Sequence, residues 1–449
     1  MHSPIGGRAL PLVVSLALGS AVARAAPPEP SRPPQPLTGR WLVTAEDFGL
    51  PRYYQMNLVQ DGPKLTGDFD GDALDGAVDG AAIRFHGKDV RGGYEDATGT
   101  LADGVFTGTL VLYFSGDLTH AVTQTFTARK VLPRPSGPGR RHDFVPKQFH
   151  RQFSPLIAPV LTIFPGDTVH TTTVDAGGFD EKGVRRSQGG NPQTGPFYVE
   201  GALPGDTLVV HVRSLRLNRD TAISTDGVVP RGLNGELAVK LKDGGGQVTW
   251  KLDRQKGVAT SEKPGEHLGR YAVPVRPMLG CIAAAPGPGR APPGTGDSGS
   301  YGGNLDFNEI VEGATVYLPV SNPGALLYFG DGHAAQGDGE LTGDALETSL
   351  DVEVSVDVIP NKQIGGVRVE SATHLMAMGL DGSLDGAFRE ATAQMARWLA
   401  EDYKLTPSEV AQVLGTSAEY RVSEVADRNA GIVLKISKER LAMIGAAAK

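Results

Sequence analysis

The sequence is short of cysteine, of positive charge and of long apolar runs, and each shortage excludes a class of protein. Cys281 is the single cysteine among 449 residues, which excludes an internal disulfide framework. The formal net charge of -8 argues against a surface that binds nucleic acid or an anionic membrane. After the N-terminal region there is no apolar run of about 18 residues, which a membrane-spanning helix needs.

Aromatic residues are also scarce, at 6% of the chain, whereas glycine (60 residues) and proline (32 residues) are abundant. This composition is typical of many short strands joined by turns, and it argues against a helical protein. We therefore predict a mainly β fold: a β-sandwich or barrel-like catalytic domain with a short C-terminal helical part, preceded by a small antiparallel β domain.

The N-terminus resembles a secretory signal peptide. Arg8 provides a positive start, residues 9–21 are apolar and small, and Ala23-Arg24-Ala25 forms a cleavage site of the A-x-A type. We predict a signal peptide over residues 1–25 and a periplasmic or secreted protein that has no membrane association after cleavage. An uncleaved N-terminal anchor is the alternative.

A Pro-rich spacer follows at residues 26–36, and residues 37–130 have the pattern of a small antiparallel β domain. Turn signals such as Asp61-Gly62 and Asp103-Gly104 separate its strands. We interpret Asp68, Asp70 and Asp72 as acidic turn residues. The predicted strands are Arg40–Val43, Tyr53–Val59, Leu65–Phe69, Ala82–Phe85, Ala97–Ala102, Val105–Tyr113 and Val122–Ala128.

Residues 131–141 read as a linker, and residues 142–449 form the predicted catalytic domain. In the stretch 350–358, leucine and valine alternate with acidic residues and serine, which predicts an antiparallel strand buried on one face. Residues 237–242 are also predicted to form a strand. Helices are expected at about 386–415, where Thr406, Pro407 and Glu409 form a capping box.

The segment Gly330–Glu340, GDGHAAQGDGE, concentrates ionisable side chains between apolar runs. Asp331, His333, Asp338 and Glu340 are separated only by small residues and one glutamine. Carboxylates and imidazole are ligands of divalent metals, and clustered carboxylates need a compensating cation or hydrogen-bond donors. A solvated acidic turn is the alternative interpretation of this segment.

Four longer motifs, taken together, resemble the acetamidase/formamidase family. They are NPQTGPFYVEGALPGD (191–206), MLGCIAAAP (278–286), GGNLDFNEIVEGATVYLP (302–319) and GDGHAAQGDGELTGDALE (330–347). The resemblance runs from about residue 150 to about residue 441, so the N-terminal β domain lies outside it. It implies a mostly β fold, hydrolysis of short-chain amides to acid and ammonia, metal dependence and a homo-oligomer.

The residue types agree with that chemistry, because amide hydrolysis needs an activated water, a positive group near the oxyanion and a proton for the leaving nitrogen. We expect a divalent metal, zinc with calcium as the alternative, and a small amide substrate. His333, Asp331, Asp338 and Asp306 are the predicted metal ligands. Glu340, as general base, and His333 are the predicted catalytic residues. Asn304, His374 and Glu200 are the predicted substrate-binding residues.

Three alternatives remain open at this stage. One is a hydrolase of larger amides or related C–N bonds, and another is a non-catalytic metal- or ligand-binding protein on the same scaffold. A nucleophilic enzyme is the third, but the chain has no G-x-S-x-G motif. Cys281 lies in an apolar run without a nearby base in sequence, so we interpret it as buried and inert.

Overall fold

The structure is a computed structural model that describes residues 36–241 and 244–445. The predicted signal peptide, and the predicted spacer except for Pro36, lie outside the described residues. Within them the protein is mainly β, as predicted, with short helices towards the C-terminus.

The first eight strands form a closed antiparallel barrel, in which β1 pairs with both β2 and β8. Side chains alternate along each strand, and the inward positions carry the apolar core of the barrel, which includes Trp41, Met56, Phe85 and Leu110. The strands are β1 (Gly39–Asp47), β2 (Leu50–Asp61), β3 (Lys64–Phe69), β4 (Asp72–Asp79), β5 (Ala82–Lys88), β6 (Tyr94–Ala102), β7 (Val105–Phe114) and β8 (Asp117–Lys130).

Strand β4 was missed by the sequence analysis, which interpreted its acidic start as a turn. Asp70-Gly71 is the turn, and Asp72 already belongs to β4. The sequence DALDGAVD has few β-branched residues, so its strand signal is weak, and Leu74 is its deeply buried side chain.

The remaining strands form two sheets. They are β9 (Arg141–Asp143), β10 (Leu161–Ile163), β11 (Thr168–Thr172), β12 (Gln193–Val199), β13 (Thr207–Leu217), β14 (Thr221–Thr225), β15 (Gln247–Asp253), β16 (Val258–Ser261), β17 (Val273–Pro274), β18 (Met278–Ala284), β19 (Ser298–Gly299), β20 (Gly302–Asn304), β21 (Thr315–Pro319), β22 (Leu327–His333), β23 (Glu347–Thr348), β24 (Leu350–Ile359), β25 (Arg368–Glu370), β26 (His374–Asp381), β27 (Glu419–Glu424) and β28 (Ala430–Ser437).

The first sheet has the order β17-β16-β15-β14-β23-β22-β18-β20-β19, with β12 beside β22 and β10 beside β12. The second has the order β27-β28-β26-β25-β21-β13-β24-β11-β9. One apolar core contains residues of both sheets, such as Phe329 and Ile282 from the first and Val354 and Val210 from the second. The two sheets therefore pack face to face as a sandwich.

Strand β24 confirms the alternation predicted for residues 350–358. Leu350, Val352, Val354 and Val356 are buried in the core, whereas Asp351 and Glu353 lie on the other face and are half-buried. Its two neighbours, β13 and β11, are both antiparallel to it. Burial of this apolar row fixes the register of the second sheet.

The described helices are α1 (Gly235–Lys240), α2 (Leu384–Asp402), α3 (Pro407–Ser417) and α4 (Lys438–Leu441). The prediction of a strand at 237–242 is wrong, because Asn234 accepts from the backbone N–H of Leu237 and caps helix α1. The predicted capping box of Thr406 and Glu409 is present at α3. None of the described helices is long and apolar enough to cross a membrane.

The barrel contacts the sandwich through the buried carboxylate of Asp206, in the Pro-Gly-Asp turn before β13. Arg40 Nη2 donates to both Asp206 oxygens at 3.0 Å, and Gln55 Nε2 donates to Oδ1 at 3.0 Å. The backbone N–H of Asn361 donates to the same oxygen at 2.8 Å. Side chains of the barrel and a turn of the sandwich thus share one acceptor group. The predicted domain division at 131–141 stays a prediction.

Candidate active site

The site forms where three neighbouring strands of the first sheet, β22, β18 and β20, run side by side. Asp331 and His333 are two residues apart on β22, so their side chains leave the same face. Asp306 follows β20, and Gly280 and Cys281 lie on the strand between them. Asp331, His333 and Asp306 are all buried.

The backbone of Gly280 lies directly against the three converging side chains. A Cβ atom at position 280 would lie 2.6 Å from Asp306 Oδ1, 2.6 Å from Asp331 Oδ2 and 2.8 Å from His333 Cε1. From His333 Nε2, an oxygen of Asp331 is at 3.6 Å and an oxygen of Asp306 at 3.9 Å. The three side chains therefore converge over a backbone position that only glycine can occupy.

The backbone of several site residues is in the left-handed region. Asp306 (φ 39°), Asp331 (φ 58°), Glu340 (φ 45°) and Asn191 (φ 53°) all have positive φ values. Such values are uncommon outside glycine and persist only where the surroundings enforce them. Four such residues at one site indicate that the surrounding structure holds their side chains in position at a cost in backbone energy.

The site has more buried negative charge than its hydrogen bonds satisfy. Asp306 Oδ1, Asp331 Oδ1, Glu347 Oε2 and Glu424 Oε1 are buried without a hydrogen-bond partner. Burial and the charges of Glu340 and Asp331 raise the pKa of Asp306 well above its usual range. Burial and then the charge of Asp427 raise the pKa of Glu424 to about 8. Buried carboxylates in this number need protons or a cation to compensate their charge.

His333 is held with one ring nitrogen towards these carboxylates. Its Nδ1 lies 2.9 Å from Gln336 Oε1, while Gln336 Nε2 donates to the carbonyl oxygens of Asp306 (2.5 Å) and Ser423 (3.2 Å). Because those two carbonyls fix the amide orientation, Oε1 must accept and Nδ1 must donate. Nε2 then faces the carboxylates, with Glu347 Oε1 at 3.1 Å.

A neutral His333 in this orientation presents a lone pair to three carboxylates, which is repulsive unless a cation lies between them. Burial alone would lower the pKa of His333, but the charges of Glu347 and Asp331 raise it well above its usual range. The site therefore attracts either a proton or a metal ion at Nε2. The donor set and the unpartnered oxygens fit a divalent metal.

Two groups of potential ligands flank this first one. His333, Glu340 and Glu347 have donor atoms that all lie within 4.8 Å of one another, and so do Asp306, Glu424 and Asp427. Glu347 lies on β23, which pairs with β22 opposite His333. Glu424 and Asp427 come from the β27–β28 hairpin of the other sheet, so both sheets contribute carboxylates to the site.

Asn304, predicted to bind substrate, is bonded to other site residues. Its Nδ2 donates to Asp306 and, at 2.5 Å, to Asp427, and its Oδ1 accepts from Asn191 Nδ2 at 2.9 Å. Cys281 Sγ also lies 2.6 Å from Asn304 Oδ1. Burial and the charges of Asp331 and Asp306 raise the pKa of Cys281 well above its usual range. The thiol is thus protonated and is placed as a donor to the site.

The structure does not bring all the predicted residues together. The segment between β22 and β23 is a loop, so Asp338 and Glu340 diverge: Glu340 is buried, while Asp338 forms an ion pair with Arg421 at 2.5 Å. His374 Nδ1 lies 2.8 Å from Thr373 Oγ1 at the start of β26. Glu200 follows β12, beside Tyr198, and burial raises its pKa. In the described contacts, neither His374 nor Glu200 touches the site.

Several site residues were missed by the sequence analysis. Asn191 and Glu347 are the first and last residues of motifs quoted above, yet neither was singled out. Gly280 was missed because glycine is needed there to leave space for neighbouring side chains, and not to adopt an unusual dihedral angle. Glu424 and Asp427 belong to a hairpin about 90 residues downstream of His333, and no local pattern marks them.

Known proteins resemble this chain. A family model described as "Acetamidase/Formamidase family" matches residues 290–377, which include Asp306, Asp331, His333, Glu340 and Glu347. A formamidase of Methylophilus methylotrophus is 25% identical over 266 residues, which are 47% of this chain and 64% of that protein. The match thus spans less than two thirds of the curated relative.

Solved structures agree with the fold. An acetamidase from Yersinia enterocolitica is 29% identical, with a TM-score of 0.59, and the match covers 68% of this chain and 94% of that one. An acetamidase from Bacillus halodurans is 27% identical, with a TM-score of 0.58, covering 68% of this chain and all of that one. The family model, the curated relative and these structures agree: the chain is similar to the acetamidase/formamidase family, as its motifs predicted.

Proposed function

We propose that this protein hydrolyses short-chain carboxamides, such as formamide and acetamide, to a carboxylate and ammonia. Its family and the names of its relatives support this reaction. The observation that carries the proposal is the convergence of Asp306, Asp331 and His333 over Gly280, with carboxylate oxygens that lack partners. Such a donor set suits a metal-assisted hydrolase.

We infer that His333 Nε2, Asp331 and Asp306 hold a divalent metal. A bound divalent ion supplies a water of lowered pKa and polarises the amide carbonyl. The imidazole nitrogen favours zinc over calcium, because calcium takes oxygen ligands. The all-oxygen group of Asp306, Glu424 and Asp427 suits calcium, the alternative. Gln336 completes the arrangement by fixing the His333 tautomer.

Proton transfer falls to the buried glutamates beside His333. Burial raises the pKa of Glu347 to about 7, so it can accept and return a proton near neutral pH, and burial raises the pKa of Glu340 well above its usual range, which makes it a stronger base than an ordinary glutamate. We assign Glu340 as the general base that takes the proton of the attacking water. Its protonated carboxyl then donates that proton to the departing nitrogen, and ammonia leaves.

Ammonia release from formamide, acetamide and longer amides tests the reaction, with elemental analysis of the purified protein. We expect turnover of the short amides, its loss with a chelator and its return with added metal. His333→Ala should remove both metal and activity. His374→Ala is the matched control, since its ring contacts Thr373, and it should keep both. Full activity and metal content in His333→Ala would contradict the assignment.

The same panel separates the alternatives. Turnover confined to large amides would replace the short-chain substrate with a larger amide or related C–N compound. Metal bound without turnover of any amide would favour a binding protein on the same scaffold. These outcomes keep the site but change its function.

Export and self-association are proposals as well. Residues 1–25 support export, and the N-terminal sequence of protein recovered from the periplasm or medium tests it: cleavage before Ala26 is the expected result. The family resemblance supports a homo-oligomer, which light scattering on the eluted protein tests. A monomeric mass would contradict it.

A further inference from the structure

One end of the N-terminal barrel differs in chemistry from the other. The β2–β3, β4–β5 and β6–β7 hairpins at one end carry Asp-Gly turns at 61–62, 79–80 and 103–104. The opposite end, which we call the barrel mouth, is formed by the β1–β2, β3–β4, β5–β6 and β7–β8 hairpins. Large exposed apolar side chains surround the mouth: Phe48 (97% exposed), Val90 (95%), Phe114 (54%), Leu118 (48%) and Leu50 (47%).

Inside the mouth lie buried hydrogen-bond acceptors that have no partner. Glu95 on β6 and Gln124 on β8 are 5% and 6% exposed, and both point inwards in the alternation of their strands. Glu95 Oε1 and Gln124 Oε1 have no hydrogen-bond partner. A buried carboxylate or amide oxygen without a donor is costly, so these two atoms indicate a missing donor.

Gly87 leaves the space that the Glu95 carboxylate occupies. A Cβ atom at Gly87, on the neighbouring strand β5, would lie 1.7 Å from Glu95 Oε1, so only glycine at 87 allows the carboxylate to turn into the barrel. Gln124 is held from its other end, where Nε2 donates to Asp47 Oδ1 at 3.2 Å. Two acceptors are thus positioned by neighbouring strands.

The charge of the mouth is negative. Asp70 and Asp72, in and after the β3–β4 turn, are close enough to Glu95 to raise its pKa, after the larger effect of burial. Arg52, Lys88 and Arg91 are basic side chains at this end. Arg52 is engaged with Asp47 at 3.5 Å and with the Tyr54 ring at 5.4 Å, and Arg91 is paired with Asp89 at 3.0 Å. The acidic side chains Asp47, Asp70, Asp72, Asp89 and Glu95 outnumber these three, so an anionic ligand would be repelled.

We propose that the barrel mouth binds a small organic ammonium with an apolar chain. Its N–H groups would donate to Glu95 Oε1 and Gln124 Oε1, and its charge would be balanced by Glu95, Asp70 and Asp72. The exposed apolar side chains of the hairpins would cover the chain. The interior of an eight-stranded barrel is either filled by side chains or holds one small ligand, and barrel mouths are frequent binding sites. This site is independent of the proposed amide hydrolysis.

Titration calorimetry with n-hexylammonium tests the site on the purified full protein, with hexanoate and hexanol as probes of the same chain length. Hexylammonium should bind at one site per chain, and hexanoate should not bind. Glu95→Gln, which keeps the shape and removes the charge, should weaken binding by about tenfold or more. Asp96→Asn is the matched control, because it makes the same charge change on the outer face of the same strand.

Two further variants test the other contacts of the proposed ammonium site. Gln124→Leu should also weaken hexylammonium binding, while Phe48→Ser should weaken it more for hexylammonium than for ethylammonium. Formamide hydrolysis should be unchanged in all these variants, so failure of one proposal is distinguishable from failure of the other. Hexylammonium that does not bind, binds equally to Glu95→Gln, or is matched in affinity by hexanoate would overturn the proposal.

Discussion

At the scale of single residues, Gly280 is the clearest determinant of the site, because three functional side chains lie where its Cβ would be. We predict that Gly280→Ala displaces Asp306, Asp331 and His333 and lowers metal affinity by about 10- to 100-fold, with a matching loss of amide hydrolysis. Metal affinity in competition with a chelator measures this effect.

The control for that variant is Gly287→Ala, three residues beyond β18. A Cβ there would meet Ser321 Cβ at 3.4 Å, an ordinary contact, and we expect wild-type metal content. If Gly280→Ala kept its metal and its activity, the three side chains would have room that the structure does not show, and the geometry assigned to the site would be wrong.

Gln336 acts through His333 and is a positioning residue. Its Oε1 accepts from Nδ1 and so leaves Nε2 free for a ligand bond. We predict that Gln336→Leu lowers metal affinity by about tenfold, because the ring loses the partner that fixes its tautomer. Gln336→Glu keeps the acceptor and should recover part of the affinity. Equal affinities in the two variants would indicate a purely structural role.

At the scale of elements, regular alternation was predictable and irregular segments were not. The apolar alternation of β24, the paired side chains of Asp331 and His333 on β22, and the cap of α3 all follow local rules. The loop after β22 follows none, and it separates Asp338 from Glu340, although both were predicted to lie in the site. Arg421, far away in sequence, holds Asp338.

Glu95 in the barrel should make the stability of the folded protein depend on pH. Burial, with a smaller effect of Asp72, raises the pKa of Glu95 from 4.5 to about 7. His86 on β5 opposes this shift, whereas Asp89 and Asp70 add to it. The folded state then binds a proton that the unfolded state releases between pH 4.5 and 7, so this residue's contribution to stability falls as pH rises through that window and stays low above it.

We therefore predict that Glu95→Gln raises the melting temperature relative to wild type at pH 8 and has little effect at pH 4.5. Thermal unfolding of both proteins across this range measures the difference, and the other titrating groups cancel because both proteins contain them. A difference that is constant with pH would show that Glu95 titrates normally in the folded protein.

At the scale of the whole molecule, the site is assembled from pieces that are distant in sequence. Asn191, Gly280, Asp306, His333 and Glu424 lie on different strands or loops, and their meeting depends on strand order across both sheets. Sequence motifs indicated most of the pieces, because residues 191–206, 278–286, 302–319 and 330–347 each contribute. They could not show which side chains meet, since sheet order is set by long-range packing and not by local pattern.

The attachment of the barrel to the sandwich is a property of the same scale. Asp206 is fully buried and accepts from Arg40, Gln55 and two backbone N–H groups. We predict that Arg40→Met lowers the free energy of unfolding by about 1–3 kcal/mol, because it removes a charged donor from a buried carboxylate. Since Asp206 lies outside the site, kcat for amides should not change.

Denaturant unfolding of wild type, Arg40→Met and the control Arg84→Met measures this effect. Arg84 is exposed on β5 in the same barrel, so its replacement should leave stability within about 0.5 kcal/mol of wild type. Loss of the Asp206 contact should also separate barrel unfolding from sandwich unfolding, and Trp41 in the barrel core is a natural probe of the first step. If Arg40→Met and Arg84→Met were equally stable, the Asp206 contacts would not be what holds the barrel to the sandwich, and the attachment would rest on apolar contacts such as that of Leu50 beside Gly289.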